Sequence, residues 1–167
     1  MSTSPMTPDD ILEAYAVAPV HLDEVLADLP QSALDLARGN DTWTIREIVH
    51  HLIDADAMVT AIMMAGLGNS GCTYDQTWYP TDNSWATTLV YAQRPLEPAL
   101  ALFHATHRSI EHLLRLLPDA WERSVIFRWE RDPEGSTITV GNLVHSRVHH
   151  AQHHIVQIQQ TKQIHGL

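Results

Sequence analysis

The run from Val144 to Gln160, VHSRVHHAQHHIVQIQQ, carries five histidines, His145, His149, His150, His153 and His154, and no glycine or proline interrupts it. Apolar residues recur along it at helical spacing (Val140, Leu143, Val144, Val148, Ala151, Ile155, Ile158), so it reads as one amphipathic helix. His149/His153 and His150/His154 each stand one helical turn apart, which lets either pair close on a metal ion. At about 100° per residue the apolar stripe centres on Val140, Ala151 and Ile158, and His149 and His153 fall almost opposite it, toward solvent. His154 lies about 60° and His150 about 100° from that centre, on the flank where a helix turns from core to neighbour. A histidine at a core edge is more often a packing residue than a ligand. A pair one turn apart on a half-buried flank is nonetheless what a metal needs and packing does not, so His150 and His154 are the candidates. They require a third ligand from elsewhere.

That ligand comes from residues 42–67, TWTIREIVHHLIDADAMVTAIMMAGL. Thr44 and Glu47 have the spacing of a capping box, which starts a helix at Ile45 and carries it to about Leu67, with Gly66 and Gly68 as the stop. Its buried stripe is Ile45, Ile48, Val49, Leu52, Val59, Ile62 and Met63. His50 points almost directly away from that stripe and His51 lies about 90° off its centre, the same arrangement of one outward and one flanking histidine as on the last helix. His51 is therefore the third candidate ligand; His149 and His153 with His50 form the alternative set. Asp56 falls on the inner side of the same helix, where a lone carboxylate is costly. Arg147, which also points inward, is its expected partner, in a partly solvated structural salt bridge or as support for a ligand. Asp56 is a weak candidate for a general base, and Asp54 faces outward by the same count.

The rest of the chain supplies two more helices. Thr7-Pro8-Asp9-Asp10 is a helix start, and the pattern runs to about Leu29, with Pro19 predicting a kink or break. A third helix opens near Pro95 and reaches Pro118; its His104, His107 and His112 are read as surface residues. Gly68 to about Ala92 is a long connection containing Tyr74, Trp78, Tyr79 and Trp85, the kind of loop that is laid over a site or packed on the bundle. Ser124–Trp129 and Ser136–Thr139 are strand-like, with Asp132–Gly135 as the turn between them, and Thr139 caps the last helix. Four helices with long connections predict an all-α four-helix bundle over residues 1–167 as a single domain. There is no Walker loop, dinucleotide glycine pattern or GxSxG elbow. HExxH is absent too, because Ala151, Gln152 and His153 separate His150 from His154.

Twenty acids against ten bases, a net charge of −10, speak against nucleic acid or an anionic membrane as partner. The single cysteine, Cys72, excludes an internal disulfide, and its Gly-Asn-Ser-Gly-Cys setting predicts an exposed bystander thiol. The N-terminus has neither a basic start nor an apolar run, and no apolar stretch is expected to span a membrane. The expectation is a soluble cytoplasmic protein acting on a small molecule.

WTIREIVHHLID at 43–54, with HHAQHHIVQI at 149–158 in the final helix, resembles the DinB/YfiT-like superfamily of small metal-binding bundles. The order of elements agrees over nearly the whole chain. Carried over by position, the family's three histidine ligands fall on His51, His150 and His154. The resemblance implies a divalent metal, zinc by preference with nickel or another first-row ion as alternatives, and a homodimer. It also implies either of two activities: transfer of a low-molecular-weight thiol to an electrophile, the favoured reading, or metal-dependent hydrolysis, its alternative. A protein that binds metal or a small ligand without turnover is the rival class.

Overall fold

A computed structural model describes residues 6–80 and 84–167. Its long helices are α1 (Pro8–Leu26), α2 (Ile45–Gly68), α4 (Leu96–Leu116) and α5 (Val140–His165), with a single-turn α3 (Trp85–Thr88) between α2 and α4. Three of the four starts are written in side chains. Thr7 and Thr44 close capping boxes with Asp10 and Glu47, and the Thr139 hydroxyl accepts from the Asn142 amide, each satisfying an amide the helix leaves unpaired. Each of α1 and α2 packs on both α4 and α5, so α1 and α2 stand diagonally across a four-helix bundle. This order makes α2 and α5 neighbours over their length, the juxtaposition a shared histidine site needs.

Cys72–Asp75 (β1), Ser124–Trp129 (β2) and Asp132–Thr139 (β3) form a small sheet in that order, β1 parallel to β2 and β2 antiparallel to β3. The expected hairpin is thus present, but a third strand joins it from the connection after α2, where sequence periodicity is too short to show. The turn also moves: Asp132–Gly135 lies inside β3 as a bulge, with Gly135 at φ +89°, and the Asp132 carboxylate accepts from the Gly135 amide and the Ser136 hydroxyl. Gly66 does not stop α2. It lies within the helix, where a Cβ would stand 3.1 Å from Val140 Cγ2 and 3.2 Å from Val125 Cγ1, so the glycine lets α2 approach the sheet and α5. Cys72 opens β1 half-buried and its thiol points at the Ala65 carbonyl oxygen, 3.6 Å away, not into an open loop.

α2 is, against expectation, long and apolar enough to cross a membrane by length and composition; here it is the helix on which α4 and α5 both pack. The apolar core falls into two clusters along the bundle. One gathers Leu12, Ile62, Ile110 and Val144, the other Leu22, Ile48, Phe103 and Ile158. Between them, at the waist, sit the buried polar residues Asp56 and His107.

Candidate metal centre

His51 projects from the second turn of α2, and His150 and His154 from successive turns of α5, toward one point. One ring nitrogen from each lies within 4.8 Å of the other two. His150 Nε2 is 3.3 Å from His51 Nε2 and 3.1 Å from His154 Nε2. Three imidazoles bound at about 2.1 Å around a tetrahedral ion hold their nitrogens about 3.4 Å apart, so the spacing is that of a ligand set. Protonation agrees with geometry. Burial, then the charge of Arg147, takes His51 down to about 4 and His150 to about 2, and burial, then His51, takes His154 to about 4. All three are neutral at physiological pH, the form that ligates. By donor type, convergence and charge the three residues fit a divalent ion.

Two groups that sequence reasoning overlooked complete the surroundings. His154 Nδ1–H donates to Gln157 Oε1 at 3.0 Å, which leaves the Nε2 lone pair free for a metal. Gln157 is turned that way because its amide nitrogen donates to His153 Nε2 at 2.8 Å. The spacing of His154 and Gln157, three apart on one helix, was the available clue. Trp43 walls the site, its ring centroid 4.4 Å from that of His51 and 6.4 Å from that of His154. It directly precedes the cap Thr44, a position that marks an apolar side chain folding back on the helix start, though not onto which neighbour.

The other histidines go elsewhere. His149 is exposed and contacts His145, with Nε2 atoms 2.9 Å apart, while the exposed His153 serves Gln157. His50 is not turned to solvent: it is fully buried, its Nε2–H donating to the Arg94 carbonyl at 3.1 Å and its ring beside Tyr91. Asp54 does not face outward freely either, because Arg94 reaches it at 2.6 Å. The segment after α3 covers this face of α2, and a wheel that assumes one buried stripe has no place for a second cover. The same reason corrects His107, which is 2% exposed rather than a surface residue.

Asp56 pairs with His107, not with Arg147 as expected. His107 Nδ1–H donates to the Tyr15 carbonyl at 2.7 Å, which aims Nε2 at Asp56 Oδ2, 3.2 Å away. The two atoms meet within ion-pair range but out of hydrogen-bond line, and among the described residues neither has a hydrogen-bond partner. Asp56 is 2% exposed and stands in the core.

Residues 14–158 match the sequence model of the DinB superfamily. A protein of Oceanobacillus iheyensis named as an inferred metal-dependent hydrolase is 30% identical over 139 residues, 82% of this chain and 75% of that one. A Geobacillus thermodenitrificans protein with the same kind of name is 27% identical over 151 residues, 88% of this chain and 79% of that one. Among solved structures, YfiT from Bacillus subtilis, described as a probable metal-dependent hydrolase with an unusual four-helix bundle topology, superposes with a TM-score of 0.81 at 24% identity, covering 99% of this chain and 91% of that one. At that identity the likeness is one of fold.

Proposed function

The chain belongs to the DinB superfamily, and from that premise we propose that it is a metal-dependent hydrolase whose ion is held by His51, His150 and His154. The observation that supports this most is the convergence of three imidazole nitrogens, from two neighbouring helices, in rings kept neutral by burial. When bound, a divalent ion supplies the Lewis acidity that activates water for attack on an acyl carbon. Zinc suits three nitrogen donors with a position left open; nickel or another first-row ion has the same claim where it is the metal available.

The chain's own residues prepare the site. Gln157 holds the tautomer of His154, and the Trp43 ring lies against His51 and shields that side of the triad from water. His150 Nε2 faces both His51 Nε2 and His154 Nε2, and its single proton can serve only one of them, a conflict that a cation relieves. The substrate class is a small molecule with an ester or amide bond.

Thiol transfer, which sequence resemblance favoured, uses the same ligands; the names of the relatives favour hydrolysis instead. Metal analysis of the purified protein, followed by parallel screens with simple esters and amides and with an electrophile plus low-molecular-weight thiols, decides between them. Ester or amide turnover that tracks metal content is expected. Turnover only in the thiol screen reverses the order, and a protein that takes up no ion ends the proposal.

A further inference from the structure

Arg147 is the arginine whose charge falls on two of the three candidate ligands, His51 and His150. Arg46 and Arg94 each hold a carboxylate within 4.0 Å, whereas Arg147, half-buried, has none among the described residues; Arg38, which acts on His154, has none either but is turned to Gln160. The side-chain contacts of Arg147 are long ones, Nε to the Ser146 hydroxyl and Nη1 to His150 Nδ1, both at 3.4 Å. Taking a guanidinium partly out of water without a well-matched partner is unfavourable, which points to a partner that binds there.

Among the described residues, the carboxylate whose charge acts on Arg147 is that of Asp56, which faces His107 at 3.2 Å; Asp54, beside the site on α2, is held by Arg94 at 2.6 Å. The field of the Arg147 guanidinium falls also on His51 and His150 of the triad, on Tyr79 from the connection after β1, and on Tyr15 at the waist. Its contact with His150 is also incompatible with an ion in the site. A neutral imidazole carries one proton; once Nε2 is a ligand, that proton must sit on Nδ1, which then opposes the Arg147 N–H donors instead of accepting from them. Loading the triad therefore frees a planar fork of donors beside the metal centre.

We infer that Arg147 is a substrate-binding residue that takes a carboxylate of the substrate in a bidentate pair beside the triad, so that the hydrolysed bond belongs to a small molecule bearing a carboxylate near its acyl group. A fork of N–H donors matches a carboxylate in geometry and charge as no lysine does, and the half-buried setting strengthens the pair. The inference rests on the hydrolase reading of the same site for its chemistry, but not for its test.

Benzoate and its neutral twin benzamide, titrated calorimetrically into metal-free and metal-loaded protein, are the probes. The loaded wild type should prefer benzoate roughly ten- to a hundredfold, the worth of one charge-assisted pair. Arg147→Gln should level the two probes with its metal content unchanged, and Arg147→Lys should restore part of the preference. A preference that survives Arg147→Gln, or none in the loaded wild type, overturns the inference. Loaded protein that shows this Arg147-dependent preference yet turns over no ester or amide leaves the inference standing and ends the hydrolase reading, whereas a protein that takes up no ion leaves Arg147 turned to His150 and overturns both.

Discussion

On α5, His150 and His154 share a residue type and a one-turn spacing with His145 and His149 on the opposite flank. The two regions nonetheless differ in everything a metal site requires. His150 and His154 meet His51 from α2, lie against Trp43, and have one outer ring nitrogen fixed by Gln157. His149, exposed to solvent, meets only His145. Spacing is thus necessary and cheap; what separates a ligand set from a surface pair is a third donor from a neighbouring helix and enough burial to keep the rings neutral.

The largest expected effect sets the two flanks against each other. His51→Ala, His150→Ala and His154→Ala should each lose stoichiometric metal, weakening affinity about a hundredfold or more, while His149→Ala keeps it. Metal analysis after dialysis reads this directly, and equal retention by both groups would erase the distinction drawn here.

Acid should expose the buried flank next. A histidine held below its ordinary value in the folded state takes up a proton more readily when unfolded, so between the two values stability rises with pH. For the triad the window runs from 6.5 down through about 4 for His51 and His154 and on toward about 2 for His150. Metal-free protein should therefore be fully stable above pH 6.5 and lose thermal stability progressively below it. A melting temperature flat between pH 6.5 and 4 would mean that the rings are not held neutral by burial.

Gln157→Ala comes third. It should weaken metal binding about ten- to a hundredfold without removing a ligand, because His154 loses the acceptor that orients it. His153→Ala should do less, acting only through Gln157. Competition with a chelator of known affinity measures both, and a larger effect for His153 than for Gln157 would redraw the site. Smallest of all, His149→Ala should change unfolding free energy by no more than about 0.5 kcal/mol, as exposed substitutions do.

Much of this was legible in the chain. Thr7, Thr44 and Thr139 each announce a helix start by local chemistry, and a cap bonds only to its own first turn, so nothing distant can overrule it. The wheel likewise separated His150 and His154 from His149 and His153, because α5 does bury one stripe. It failed on His50 and on His107, where the segment before α4 and the packing of α1 supply a second cover. It failed again on the partner of Asp56, since two inward-pointing residues on different helices meet only if the bundle order brings their levels together. The strand at Cys72–Asp75 pairs with residues some fifty positions later, beyond any local signal.

The amino-acid order by itself determined the helices, their caps, and which imidazoles lie on a flank, because those depend on contacts within a few residues. Only the tertiary structure decided that α2 stands beside α5, that Asp56 answers to His107, and that Arg147 meets no carboxylate among the described residues. Those outcomes turn on distances between segments far apart in the chain, set by how four amphipathic faces close on a common core.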